Sequence, residues 1–153
     1  MTAEPRRQLA PGARWVWRLQ QIGIWGIVVI VGLSVAPRLD GVLAVLVRVL
    51  PLLALVVAAV AVPELRWRRW RWDVRPEAID IRHGTLKIRR TLIPMARVQH
   101  VETTRGVLEQ WFDLANVEIH SAAGGHTIPL LDLGAADELR DRIAALAPTA
   151  DEP

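Results

Sequence analysis

The longest apolar run in the chain constrains the fold most. Residues 42–62, VLAVLVRVLPLLALVVAAVAV, form a stretch of 21 residues that carries a single charge, Arg48. As a helix rising about 1.5 Å per residue, such a run is about 30 Å long, which is the thickness of the hydrocarbon layer of a bilayer. The sequence therefore predicts a membrane-spanning helix over residues 42–62.

A second apolar segment, at about residues 17–36, precedes this run and is separated from it by a short turn containing Pro37 and Gly41. The two segments together predict a transmembrane hairpin. The alternative is a secretory signal peptide, because arginines precede the first segment and Ser34 to Ala36 resembles a cleavage site. Against that alternative, Pro37 would directly follow the cut, and the second apolar run begins only a few residues later.

The distribution of arginine sets the expected orientation. Residues 1–75 hold 11 arginines and 4 acidic residues, whereas residues 76–153 hold 8 basic and 12 acidic residues. Positive charge therefore lies before the first predicted helix and after the second one. The turn between the two helices has a single basic residue, Arg38. The positive-inside rule then places both termini in the cytoplasm and the protein in the cell membrane.

A basic, tryptophan-rich segment follows the second apolar run directly. Tryptophan rings favour the headgroup layer, and guanidinium groups bind anionic phosphates. We therefore interpret residues 64–75 as an interfacial segment. One interpretation is a simple anchor that stops translocation of the chain. The alternative is a strip that recognises lipid headgroups, and the two are compatible. Its predicted lipid-contacting residues are Arg66, Trp67, Arg68, Arg69, Trp70, Arg71 and Trp72.

From Trp70 onward the apolar period changes to two, which is typical of strands. A two-residue turn at His83-Gly84 would pair residue 82 with 85, 81 with 86 and 79 with 88. This register places Ile79, Ile81, Leu86 and Ile88 on one face, and it makes His83 a turn residue. Another strand is predicted over residues 98–104, with a bulge because Val98 and Val101 are three positions apart.

The remaining pattern predicts a short helix, two more strands and a final helix. The short helix should cap a core with Val107, Leu108, Trp111 and Phe112. Pairing of Val117 and Ile119 with Ile128 and Leu130 requires a register in which the numbers of paired residues add to an odd number. In that register His120 and His126 lie on opposite faces of the sheet, so their imidazoles point apart. No shared metal site is therefore predicted. The final helix, at about residues 135–147, should bury Ala136, Leu139, Ile143 and Leu146.

These elements divide the chain into five segments. Residues 1–14 are expected to be a disordered cytoplasmic tail, 15–63 the transmembrane hairpin, and 64–75 the interfacial segment. Residues 76–147 should form a folded domain, and 148–153 a disordered tail. The predicted fold class is a membrane-anchored α+β protein, with a hairpin of helices followed by an antiparallel β-barrel that a C-terminal helix closes.

Several strings in this domain resemble bacterial pleckstrin-homology (PH) domains, and more closely the YdbS-type membrane proteins. They are the hairpin with Gly84, the string from Ile93 to Val101, Gly106, and residues 114–125. Asp113 stands where the family usually has glycine, and aspartate can also adopt left-handed backbone geometry. The resemblance implies a PH-like barrel. It also marks Arg97, Gln99 and His100 as signature residues, which either contact a ligand or partner or stabilise the bent strand.

The sequence favours a non-enzymatic membrane protein whose PH-like domain binds the lipid surface or a protein partner. The expected partners are anionic headgroups and another membrane protein or a second copy of the chain. An alternative is a structural, oligomeric subunit whose helices approach closely at Gly23, Gly26 and Gly32. The absence of cysteine excludes thiolate chemistry, and no nucleophile, phosphate-loop or metal-spaced motif predicts catalysis or a cofactor. An acidic domain also argues against nucleic-acid binding.

Overall fold

The computed structural model describes residues 5–85, 87–122 and 124–147, and the chain forms two compact units. The helical hairpin consists of Arg14–Leu65. The β-sheet unit consists of the described residues up to Ala13 and from Arg66 onward.

The helical hairpin contains the two predicted membrane helices. Helix α1 spans Ala13–Val35, a single 3-10 turn spans Ala36–Arg38, and α2 spans Gly41–Arg69. Both helices are long and apolar enough to cross a membrane. Their outward side chains are mostly exposed aliphatic residues, which lipid rather than water would cover. Helix α2 continues past Val62 to Arg69, so part of the predicted interfacial segment is helical.

One glycine allows the two helices to pack closely. A Cβ added at Gly32 would lie 2.9 Å from the carbonyl oxygen of Val47 in α2, whereas one at Gly23 or Gly26 would meet nothing within 4 Å. The sequence suggested all three glycines for contact between copies of the chain. Gly32 allows close packing within a single hairpin, and contact between copies of the chain stays a prediction.

The β-sheet unit contains two three-stranded antiparallel sheets. Sheet A has the order β1-β2-β3 and sheet B the order β4-β5-β6. Their strands are β1 (Arg71–Val74), β2 (Ala78–His83), β3 (Arg89–Pro94), β4 (Val98–Thr104), β5 (Leu114–Ser121) and β6 (Gly124–Asp132). Helix α3 (Val107–Trp111) lies between β4 and β5, and α4 (Leu133–Leu146) follows β6. Among the described residues the two sheets are not closed into a barrel by strand pairing, so that prediction is not confirmed.

The core of this unit follows the predicted alternation. Fully buried side chains include Ile79 in sheet A and Val117, Ile119 and Ile128 in sheet B. Helix α4 buries Ala136, Leu139 and Ile143, which confirms its predicted apolar face, while Leu146 is half-buried. Burial of such aliphatic side chains contributes roughly 1.5–3 kcal/mol each relative to exposure.

The predicted register of the first hairpin is wrong. In the structure, His83 pairs with Arg89, Arg82 with Arg90 and Ile79 with Ile93, and the connection is longer than two residues. His83 therefore ends β2 instead of forming a turn, and Gly84 supplies the positive φ, at 131°. Ile88 is 48% exposed, so it does not share the buried face of Ile79, and Leu86 lies outside the described residues. In the observed register, the fully buried Asp80 forms an ion pair with Arg90, which apolar alternation does not reveal.

Three other local predictions have clear outcomes. The bulge in β4 is confirmed as a register shift between Val98 and His100. The predicted register of β5 and β6 is confirmed from Val117 to Ser121, with Val117 opposite Ile128, and it shifts between Ala115 and Val117. Asp113, at the position where the family usually has glycine, has the left-handed conformation expected for it, with a φ of 51°.

Helix α3 does not cap the core in the way the sequence suggested. Val107 is 68% exposed and Trp111 is 76% exposed, although the helix itself forms at the expected place. Of the four predicted apolar residues, only Leu108 is half-buried, and Phe112 is exposed like Val107 and Trp111.

The N-terminal segment is ordered, contrary to expectation, over residues 5–13. Arg7 and Trp72 exchange two backbone hydrogen bonds of 3.0 Å each, which forms an isolated antiparallel bridge. The amide of Ala10 donates to the carbonyl of Leu130 at 3.3 Å, and Leu9 is only 2% exposed. Residues 1–4 and 148–153, the remainder of the two predicted tails, lie outside the described residues.

Candidate anion-binding site

The tryptophans of the basic segment are structural residues. Trp70 is 7% exposed and Trp72 is 3% exposed, because the period-two burial of sheet A begins here. The indole N–H of Trp67 donates to the carbonyls of Leu9 and Ala10, both at 3.1 Å. The indole N–H of Trp72 donates to the carbonyl of Gln8 at 3.3 Å. The expectation that these rings lie among headgroups therefore does not hold for Trp70 and Trp72, which are buried within the protein.

The arginines of the same segment remain at the surface and help to form a pocket. Arg68 and Arg69 in the last turn of α2 are exposed, and Arg71 at the start of β1 is half-buried. Together with Arg82 of β2 they line a cavity of about 290 Å³, which Pro5 and Ile88 complete. None of the lining residues that the structure describes is acidic. We refer to this cavity as the arginine pocket.

Strand pairing brings two of these arginines face to face. Arg71 lies directly opposite Arg82, and Arg82 lies directly opposite Arg90 on the next strand. Like charges directly opposite one another in a sheet are destabilising. Arg90 is compensated by Asp80, whose carboxylate lies 2.6 Å from the Arg90 guanidinium. At the arginine pocket, four of the six described lining residues are arginines.

Two hydrogen bonds position the pocket arginines. Arg71 Nη1 donates to the carbonyl of Trp70 at 2.7 Å. Arg69 Nη1 donates to the carbonyl of Thr85, in the loop between β2 and β3. Both acceptors are backbone oxygens, which orient the guanidinium groups without neutralising their charge. A positively charged cavity with oriented N–H donors is suited to phosphate or carboxylate groups.

His83 lies at the end of β2 and packs against the same segment. Its ring stacks on Trp70, with the ring centroids 4.8 Å apart and the planes 26° apart. The His83 Nδ1 atom is buried and has no hydrogen-bond partner among the described residues. Burial lowers the pKa of His83, and the nearby Arg89 guanidinium lowers that pKa further. His83 is therefore held in its neutral form, which fits a site already rich in positive charge.

The three signature residues do not form one site. Arg97 lines a separate cleft of about 260 Å³ with His126 and Ser121, and its carbonyl accepts a hydrogen bond from Ala122 at 3.3 Å. Gln99 lies at the register shift of β4 and is exposed. His100 lies beyond that shift, opposite His120 of β5. The string lies at the start of sheet B, and its contact with a ligand or partner stays a prediction.

The sequence interpretation missed Arg82 as a member of the site. The period-two pattern of β2 already placed Arg82 on the polar face of the strand, opposite Ile79 and Ile81. That pattern could have indicated Arg82 as a candidate. What the sequence did not give was the pairing of β1 with β2, which sets Arg71 opposite Arg82.

The structure is that of a protein with two membrane-length helices and a small two-sheet domain that contains the arginine pocket. Comparison with known proteins gives its class. The chain matches the family described as Bacterial PH domain over residues 21–147. This match includes most of α1, all of α2 and both sheets. The protein is therefore a transmembrane protein with a PH-like domain.

Two proteins of Bacillus subtilis (strain 168) are similar to this chain. UPF0699 transmembrane protein YdbS is 36% identical over 161 aligned positions, which cover 99% of this chain and 99% of YdbS. UPF0699 transmembrane protein YdbT is 29% identical over 66 residues, which cover 43% of this chain and 13% of YdbT. The chain thus belongs to the YdbS-like family of bacterial PH-domain membrane proteins. No solved structure matches it.

Proposed function

We propose that this protein is a non-enzymatic membrane protein that presents its PH-like domain at the cytoplasmic surface of the cell membrane. In this proposal the arginine pocket binds the phosphate group of an anionic lipid. The observation that carries the proposal is the convergence of four arginines on one cavity of about 290 Å³ whose described lining contains no acidic residue.

The position of the arginine pocket in the chain supports a lipid ligand. Arg68, Arg69 and Arg71 occupy the end of α2 and the start of β1, immediately after the second membrane-length helix. A cluster of arginines at that place in a chain lies close to the headgroup layer. Each guanidinium near an anionic leaflet contributes about 1 kcal/mol to attraction.

The orientation in this proposal follows from charge and connectivity. Arginines are concentrated around the start of α1 and the end of α2, and the positive-inside rule assigns such flanks to the cytoplasm. The described residues up to Ala13 and from Arg66 onward belong to one folded unit, so the chain enters and leaves the helical hairpin from the same unit. An even number of membrane spans satisfies that connectivity.

The sharpest test changes Arg82 to glutamine, because this residue lies in β2 and is remote in sequence from the membrane helices. The tag-free full-length protein would be placed in nanodiscs that contain zwitterionic and anionic phospholipids, and then released for native mass spectrometry. We expect Arg82→Gln to retain anionic lipid about fivefold more weakly, the equivalent of roughly 1 kcal/mol for one charge near the lipid surface.

The matched control is Arg142→Gln, since Arg142 is an exposed arginine of α4 outside the pocket. This control should retain lipid as the unmodified protein does. Equal lipid retention by all three proteins would refute the lipid ligand. A retained second protein chain in place of lipid would instead support the partner-binding form of the proposal.

A further inference from the structure

The outer face of sheet B carries a cluster of histidine and glutamate side chains. The paired strands β4 and β5 contain the mirrored strings His100-Val101-Glu102 and Glu118-Ile119-His120. Antiparallel pairing sets His100 opposite His120 and Glu102 opposite Glu118. Since alternate residues of a strand share a face, all four side chains lie on one face, while Val117 and Ile119 point into the core.

The side-chain atoms of this cluster already converge. One ligand atom from each of Glu102, Glu118 and His120 lies within 4.8 Å of the other two. His120 Nε2 is 3.3 Å from Glu102 Oε1, and His100 Nε2 is 3.7 Å from Glu102 Oε2. Thr104 donates a 2.7 Å hydrogen bond to Glu118 and orients that carboxylate.

The charges of this face favour a cation. Glu102 and Glu118 are directly opposed, and like charges in that arrangement destabilise a strand pair. None of the strands β4, β5 and β6 contains a lysine or an arginine. The two carboxylates therefore have imidazoles, not guanidinium or ammonium groups, as their neighbours on this sheet.

We propose that His120, Glu102 and Glu118, with His100 as a fourth ligand, bind a divalent transition-metal ion of the zinc type. Imidazole nitrogen and carboxylate oxygen are ordinary zinc ligands, at about 2.0–2.2 Å from the ion. Two ligands at that distance in a tetrahedral site lie about 3.3 Å apart, and His120 Nε2 and Glu102 Oε1 already have this separation. In this proposal the side chains of Glu118 and His100 rotate toward the same ion to complete the site.

Zinc binding would be measured by titration calorimetry on the tag-free full-length protein, freed of metal with a chelator and held in nanodiscs of zwitterionic lipid. We expect saturation at one zinc per chain. Removing even an outer-shell partner of a metal ligand costs about 10–100-fold in affinity, so His120→Ala should weaken binding by at least about tenfold. Glu102→Gln, which preserves side-chain shape, should do the same.

The matched control is His126→Ala, because His126 lines the separate cleft beside Arg97. This variant should bind zinc as the unmodified protein does, and calcium, which prefers oxygen ligands, should not replace zinc. Cobalt substitution should give the visible absorption of a tetrahedral site, and Glu102→Gln should abolish it. Unchanged zinc affinity in both His120→Ala and Glu102→Gln, or loss in His126→Ala, would overturn the proposal.

Discussion

At the scale of single residues, the most informative feature is that like charges face one another across strands. Arg71 lies opposite Arg82 in sheet A, and Glu102 lies opposite Glu118 in sheet B. Like charges directly opposite one another on a sheet repel. The two proposed ligands, an anionic phosphate and a divalent cation, each have the charge that would reduce this repulsion.

His83 gives a residue-scale prediction on pH. Burial lowers the pKa of His83 in the folded protein below the value of about 6.5 found in unfolded chains. The unfolded state therefore binds the proton more tightly, and the contribution of neutral His83 to stability is present above about pH 6.5. That contribution is lost as the pH falls from about 6.5 through the lower folded value.

The variant His83→Phe keeps the stacking on Trp70 but removes the titration. Its midpoint of thermal unfolding should change less between about pH 6.5 and 5 than that of the unmodified protein. The exposed His100, changed to phenylalanine, is the control, and a chelator keeps metal ions out of both measurements. An identical pH dependence in His83→Phe and the unmodified protein would contradict the role assigned to this ring.

At the scale of elements, local pattern predicted some pairings and failed for others. The register of β5 and β6 was predictable because both strands have one apolar face and a one-residue slip would expose it. The hairpin of β2 and β3 was not predictable from alternation. A longer loop, with Gly84 at a φ of 131°, allows Arg90 to reach the buried carboxylate of Asp80. No local apolar pattern signals such a buried ion pair.

The packing of α1 on α2 gives an element-scale prediction. Gly32→Ala places a Cβ 2.9 Å from the Val47 carbonyl, so the helices must separate, and we expect a loss of about 1–3 kcal/mol in hairpin stability. Gly23→Ala is the matched control, because a Cβ there meets nothing within 4 Å. Denaturant titration of both variants in bilayers measures the difference. Equal stability of the two would show that the close approach at Gly32 is unimportant.

At the scale of the whole molecule, the β-sheet unit is assembled from two distant parts of the chain. Its N-terminal part is joined to Trp72 by the bridge at Arg7 and to Leu130 by the amide of Ala10. The helical hairpin is thus an insertion within this unit in the order of the sequence. This connectivity explains why a proline-containing polar segment, which looked like a tail, is ordered over residues 5–13.

Leu9 tests this assembly. It is 2% exposed, so Leu9→Ala should destabilise the β-sheet unit by roughly 2–5 kcal/mol, the usual cost of such a truncation in a core. Leu92→Ala makes the same chemical change at a side chain that is 54% exposed and should have little effect. Urea unfolding of the full-length protein, followed by tryptophan fluorescence, compares them. A Leu9→Ala protein as stable as Leu92→Ala would show that the N-terminal segment is not part of the folded unit.

Local patterns of the sequence predicted the order of helices and strands. Two apolar runs of membrane length, a period of two after Trp70, and the spacing of Ala136, Leu139 and Ile143 each depend on neighbouring residues, so they could be predicted without contacts. The family signature string could likewise be recognised without a structure.

The arginine pocket and the histidine–glutamate cluster depended on contacts between strands. Strand register and loop length determine whether Arg71 lies opposite Arg82 and whether Glu102 lies opposite Glu118. Register in turn depends on many weak interactions across the whole unit. The same packing between distant elements buries Trp70 and Trp72 inside the protein, where they do not contact lipid. Local sequence fixes which elements form, whereas packing between distant elements selects which side chains share a site.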